Sequence, residues 1–288
     1  MQNLDIVKLR SFLLSLAVAV MVSAPLALAA HGLKLGLDLT GGTEIVVRPP
    51  APMEDAAVRH RLDTPALADL APLEVFRVGD AAAHTFAVRT RPAPGAAVKA
   101  GDRVAAAVAP GTTVLSVSAM GPSVGAAARR DTAVALALSC AGLVIYMAAR
   151  FELKPGLAAL LALVHDTLAV LAALALSGTE VDVAVVAALL TALGYSLNDS
   201  IVILDRVREN RARSSSTPMP DLVNQAVRQC LARTLITNVT VLLSLAAMGA
   251  LGPRPLAGFV LTMTVGVISG TLSTLTVVCP LVATAKTS

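Results

Sequence analysis

The sequence predicts a polytopic α-helical membrane protein: six transmembrane helices, with one small α+β ferredoxin-like external (periplasmic) domain between helices 1 and 2. Three observations predict it. Hydrophobic residues make up 56% of the 288 and charged residues only 15%, where a water-soluble domain carries about a quarter charged. Six apolar runs come close to the roughly 20 residues a helix needs to cross a bilayer. A single polar stretch is long enough to close a soluble core.

The first run is about Phe12 to Ala30. The others are about Thr132–Ala149, Leu157–Leu176, Val183–Leu204, Leu231–Leu251 and Leu256–Ala283. The first has a rival reading. Lys8 and Arg10 precede it and Leu26-Ala27-Leu28-Ala29-Ala30 closes it, as in a cleavable signal peptide. Its apolar stretch is longer than the usual 7–15 residues of a signal, so it reads as a retained helix. The expected division is residues 1–30 for helix 1, 31–125 for the external domain and 126–288 for helices 2–6. A cytoplasmic loop is expected at about 206–230.

Basic residues orient the spans. Arg150 and Lys154 follow span two; Arg206, Arg208, Arg211 and Arg213 follow span four; Lys286 follows span six. Residues 178–182 carry no Lys or Arg, and the loop near Gly252 carries only Arg254. Both termini are therefore expected in the cytoplasm. Arg129 and Arg130 fall outside and go against the rule, at the end of a folded domain where it is weaker.

In the external stretch Thr43–Val47, Leu73–Val78, His84–Thr90 and Thr112–Ala119 read as strands. Met53–Leu70, interrupted at Pro65, and Ala97–Val108 read as helices. The order β-α-β-β-α-β is that of a ferredoxin-like sandwich. Gly36-Leu37-Asp38-Leu39-Thr40-Gly41-Gly42 opens the domain. It reads as a structural turn, because a strand follows it and not a phosphate-binding helix.

Motifs exclude several classes. There is no GxGxxG, phosphate loop, GxSxG or HExxH, and the three cysteines and four histidines are scattered. No catalytic residues, cofactor or metal are expected, and a net charge of +4 is too small to argue for nucleic acid. Cys140 and Cys279 read as small core residues.

The informative residues are the polar ones inside spans, where ionisable groups are expensive. His165 and Asp166 lie about nine residues into span three, roughly 13 Å deep. Asn198 and Asp199 lie one or two turns from the end of span four, and span five opens with Arg233 and continues through Thr237, Asn238 and Thr240. Asp199 and Arg233 come at similar depth, so an ion pair is expected. A carboxylate whose partner comes and goes can bind and release a proton; the rival is a static pair that locks helices. Gly194 and Ser196 are expected to allow a break or bend in span four or a close helix contact, and Gly266 and Gly270 to let span six pack closely. Asp221 to Arg233 reads as an amphipathic lead-in helix capped by Asp221.

These residues carry a resemblance. Gly194-Tyr195-Ser196-Leu197-Asn198-Asp199-Ser200, continuing through Asp205-Arg206-Val207-Arg208-Glu209-Asn210, resembles the most specific stretch of the SecD/SecF family of bacterial protein-export subunits. His165-Asp166, Arg150-Phe151-Glu152, Arg233-Thr234 and the Gly36–Gly42 stretch resemble its other signatures. Leu39 stands where the SecF branch has an aromatic, a form nearer to SecD, while the order and length of the chain fit SecF. The resemblance implies a SecD partner in a twelve-span assembly of the resistance-nodulation-division type in the bacterial inner membrane. It also implies work with the SecYEG channel, the SecA motor and YajC on preproteins, driven by the proton gradient. It places Asp199 and Arg233 in proton coupling, with Asp166, His165 and Asn198 as further candidates. The competing readings are a subunit of a proton-coupled small-molecule or lipid exporter, and a scaffold that couples nothing.

Overall fold

The computed structural model describes residues 8–78, 84–91, 96–214 and 216–284. Lys286 and Ser215, which entered the charge and linker readings, lie outside them. The chain forms two compact units, one of residues 1–34 and 135–288, the other Leu35–Val134.

The smaller unit starts with a single turn, α2 (Leu37–Thr40), and strand β1 (Gly42–Arg48). Helix α3 (Asp55–Leu62) and a 3-10 turn (Pro65–Leu70) follow. Then come β2 (Glu74–Val78), β3 (Thr85–Thr90), helix α4 (Ala97–Val108) and β4 (Thr113–Met120). The expected helix over 53–70 is thus split. Pro65 cannot donate to a preceding turn, and the chain restarts there as a tighter helix with proline in its first turn.

The sheet has the order β2-β3-β1-β4, with every pair antiparallel. Each helix joins strands that leave one place between them, α3 linking β1 to β2 and α4 linking β3 to β4. Ile45 on β1 faces Val88 on β3 and Val117 on β4. Ile45, Phe86 and Val88 are fully buried with Val58 of α3 and Val104 of α4. Each such side chain contributes about 1.5–3 kcal/mol by leaving water. Gly101 lets α4 approach, since a Cβ there would sit 3.0 Å from Val117.

The double glycine has a structural reason. Gly41 and Gly42 have φ of 70° and 141°, and a Cβ on Gly125 would lie 2.7 Å from the Gly41 nitrogen. The turn and the first turn of the helix that follows β4 touch backbone to backbone, which side chains would prevent.

The larger unit is helical. Its six apolar helices are α1 (Arg10–His31), α5 (Pro122–Arg150), α6 (Leu153–Ser177), α7 (Val183–Arg213), α8 (Met219–Leu251) and the segment Ala257–Ala283. That last segment is α9 (Ala257–Ser273), a π-helical turn (Thr274–Val278) and α10 (Cys279–Ala283). Asp182 caps α7 by accepting from the Val185 N–H at 2.7 Å. Gly178, left-handed at φ 65°, ends α6.

Several expectations are corrected. Residues 206–230 are not a loop. Helix α7 continues to Arg213 and α8 begins at Met219, so the connection is short. Leu222, Val223, Ala226 and Val227 form a buried stripe that keeps the lead-in segment helical and continuous with span five. Asp221 lies inside the first turn, and Pro218 holds the cap position. Helix α7 is unbroken through Gly194. A single glycine costs a helix only about 1 kcal/mol, which packing along the rest of the helix outweighs. Cys140 is exposed, whereas Cys230 and Cys279 are buried.

The irregularity lies instead in the sixth span. Pro280 has no N–H and its ring crowds the carbonyl one turn back. The turn before it opens into the π-helix of Thr274–Val278.

A candidate site of two buried carboxylates

The centre of the helical unit is where α6, α7, α8 and α9 meet. Helices α7 and α9 approach most closely. A Cβ on Gly266 would lie 2.4 Å from the Ala192 Cβ, and one on Gly270 would lie 2.6 Å from the Ser196 Cβ. Both pairs are spaced by four residues, so they stack on one seam, where small residues let backbones touch. Gly194 is on the other side, with nothing within 4 Å of an added Cβ. Ser196 is therefore a seam residue of an uninterrupted helix, and it also has a polar task.

That task concerns Asp166. Its carboxylate is 1% exposed. The hydroxyl of Ser269 donates to Oδ1 at 2.6 Å, and that of Ser273 to Oδ2 at 2.8 Å. Ser196 also donates to Oδ2. The Nδ1 of His165 lies 3.0 Å from Oδ1, which makes it a fourth donor when it carries its proton. Three helices thus place donors around one carboxylate. The adjacent residues His165 and Asp166 meet through their side chains, although their positions on α6 diverge by about 100°.

Asp199 is also buried, 5% exposed, but differently held. Asn238 of α8 donates to its Oδ2 at 2.7 Å. The same amide lies 2.6 Å from the Thr271 hydroxyl of α9, and Thr271 in turn donates to the Val267 carbonyl at 2.9 Å. The Thr271 hydroxyl is also within hydrogen-bonding reach of the Asp199 carboxylate. Next to it the Ser200 hydroxyl lies 3.0 Å from that of Thr274. Thr274 donates to the Gly270 carbonyl at 2.9 Å, so Ser200 supplies the proton of the shared bond. Thr274 is the first residue of the π-turn.

The expected ion pair of Asp199 with Arg233 is absent among the described residues. Asn238 takes its place. Five residues separate the two positions on α8, which turns them about 140° apart. With Asn238 pointing at Asp199, Arg233 is directed to the exposed side of α8. Asn198 is likewise exposed on α7, about 100° from Asp199. The structure brings together Asp166, His165 and Ser196 on one side and Asp199 with Asn238 on the other, and leaves Arg233 and Asn198 outside.

Asn238, Ser269, Thr271, Ser273 and Thr274 complete the site. Their signal was present: Gly266, Ser269, Gly270 and Ser273 recur at i, i+3, i+4 and i+7, one polar stripe on an apolar helix. Read as a packing stripe alone, it hides the hydroxyls.

A multi-pass helical membrane protein with paired carboxylates in its packed core is thereby defined. Comparison with known proteins makes the class specific. Residues 101–288 match the model of the protein export membrane protein SecD/SecF C-terminal family, and residues 26–49 that of the SecD/SecF GG motif. The chain is 35% identical over 264 residues to a protein translocase subunit SecF of Cereibacter sphaeroides, covering 89% of this chain and 82% of that one. It is 34% identical to the SecF subunit of Escherichia coli O157:H7 over 267 residues, 88% of this chain and 79% of that one. A crystal structure of SecDF from Thermus thermophilus, described as a translocon-associated membrane protein, superposes with TM-score 0.85 at 30% identity. It matches over 97% of this chain and 38% of that longer one. The chain belongs to the SecD/SecF family of protein export membrane proteins.

Proposed function

We propose that this chain is the SecF-type subunit of a protein translocase accessory complex in the bacterial inner membrane, and that Asp199 is its proton-exchanging residue. The observation that carries the coupling reading is the Asp199 carboxylate, buried between helices and held by the Asn238 amide beside the Thr271 hydroxyl, where Asp166 has three hydroxyls and an imidazole around it. A proton taken up at Oδ1 keeps the Asn238 bond to Oδ2. Its arrival and departure change the charge between α7 and α8 by one unit. Moving one charge across the membrane supplies about 2.3 kcal/mol per 100 mV. Repeated uptake and release therefore drives a conformational cycle with no cofactor and no covalent chemistry.

Partners follow from two supports. In Thermus thermophilus a SecDF protein carries a matching segment within one longer chain, of which the alignment covers 34%. A SecD portion is the corresponding partner of this segment. Arg233 and Asn198 are exposed within apolar spans, where an uncovered polar group is costly. A polar surface of SecD against α7 and α8 relieves that cost and brings Arg233 into the coupling path. The reading extends to the SecYEG channel, SecA and YajC as the setting in which preproteins move. Both termini are taken as cytoplasmic, from the basic residues after spans two and four.

The test is gradient-driven export of a preprotein into membrane vesicles containing the SecD partner, comparing wild type with Asp199→Asn at matched assembly. Loss of the proton-dependent part, with ATP-driven export retained, is expected. Proton-dependent export at the wild-type rate rejects the assignment. A parallel run on a sodium gradient separates protons from sodium ions.

A further inference from the structure

Two motifs that the coupling site leaves unused, Arg150-Phe151-Glu152 and Asp205 to Asn210, converge at the basic end of the helices. They line a cavity of about 740 Å³ together with the start of α6 and of α8. This size is within the roughly 300–1,000 Å³ of small-ligand pockets. The charged lining is Arg150, Lys154, Arg208 and Arg211, against the one carboxylate of Glu152. Phe151, Leu204, Val207 and Val282 form the apolar wall.

The cations are not all matched. Arg150 pairs with Asp205 at 2.8 Å, and Arg211 lies 3.7 Å from Glu152. Among the described residues, Lys154 and Arg208 have no hydrogen-bond or ion-pair partner, and both are exposed. Two helix N-termini also open on the cavity. Neither the α6 cap residue Glu152 nor the α8 cap residue Pro218 supplies a side-chain hydrogen bond to the first turn. Leu153 and Lys154, the first residues of α6, line the cavity, and their N–H groups have no intrahelical acceptor. Free cations, uncapped helix starts and an apolar wall together suit a phosphate group that carries hydrocarbon.

We infer that this cavity is a binding site for the phosphate of an anionic phospholipid, with Lys154, Arg208 and the α6 N-terminus on the phosphate and the Phe151 side against the acyl glycerol. The site stands apart from Asp166 and Asp199 and does not rest on the proton reading.

Native mass spectrometry of the full chain in mild detergent, titrated with phosphatidylglycerol or phosphatidylcholine, tests it. The expected result is about tenfold preference for phosphatidylglycerol, lost in Lys154→Gln/Arg208→Gln and kept in the charge-matched control Lys99→Gln/Arg129→Gln. The swap Lys154→Arg/Arg208→Lys, which conserves charge, is expected to bind, and its thermal unfolding serves as the fold control. Equal retention of both lipids, or equal loss in the control pair, overturns the site. Displacement of phosphatidylglycerol by equimolar inorganic phosphate also overturns the lipid assignment and transfers the pocket to a free anion.

Discussion

Asp166 and Asp199 sit on neighbouring helices, both almost wholly buried, and they are held differently. Asp166 is ringed by three hydroxyls and an imidazole drawn from α6, α7 and α9. All four groups converge on the one carboxylate. Asp199 has fewer: the Asn238 amide, with the Thr271 hydroxyl beside it. The difference teaches that burial alone does not mark a working carboxylate. What matters is how many groups lose their partner when its charge changes.

Removing Asp166 is the largest expected effect. Asp166→Ala strands the hydroxyls of Ser196 and Ser269 and the His165 ring, while Ser273 keeps the Gly270 carbonyl; a cost of about 1–3 kcal/mol for each unsatisfied group is expected, read as failed assembly or a large drop in thermal unfolding temperature. Asp199→Asn is expected to remain within about 1 kcal/mol of wild type, because one amide–carbonyl bond replaces one amide–carboxylate bond. Equal destabilisation by both would erase the contrast between the sites.

Steric perturbation of the seam comes next. Gly270→Ala places a methyl group 2.6 Å from the Ser196 Cβ. It is expected to part α7 from α9 at about 1–3 kcal/mol and to weaken the Ser196 bond to Asp166. Gly194→Ala meets open space and is expected to be neutral or slightly stabilising in the same unfolding assay.

Single donors sharpen the comparison. Ser269→Ala removes one of four donors to Asp166, for an expected cost of about 1 kcal/mol and near-normal export. Asn238→Ala removes the amide donor to Asp199. It is expected to cost similar stability while shifting the pH profile of proton-dependent export, which Ser269→Ala leaves in place.

The smallest effect is in the external unit, where a carboxylate meets its cation in water. Arg103 holds Asp69 through two bonds, at 2.6 and 2.8 Å. The hydrogen bond from Arg103 keeps the Asp69 carboxyl below the usual carboxylate range. Because the folded value is depressed, the pair contributes above the unfolded value of about 3.9. That contribution disappears as pH falls through the folded one. Amide-exchange protection of α4 in the full chain is expected to soften slightly below about pH 4 in wild type and not in Asp69→Asn.

Much of this was legible along the chain. The apolar runs located all six membrane helices, because length and composition decide whether a helix can cross a bilayer. The alternation in Leu73–Val78 and His84–Thr90, and the β-branched residues at spacing two in Thr112–Ala119, located those strands to within a residue. The isolated Asp166 and Asp199 stood out because charges are rare in such company. Other features were not legible. The Asp199–Arg233 pair followed from depth alone, and depth ignores the rotation that turns Asn238 inward and Arg233 outward. Ser269 and Ser273 looked like spacers beside glycines. The π-turn needed Pro280 to be weighed against the helix before it.

By itself, then, the sequence determined the membrane class, the number of spans, the element order of the external domain and the buried acids. It did so through length, hydropathy and period, which are local properties. Only the tertiary structure decided which acid is saturated with donors and which is not. The donors to Asp166 come from positions 165, 196, 269 and 273. They converge because glycines at 266 and 270 let two helices touch, a property of the packed helices and of no single segment.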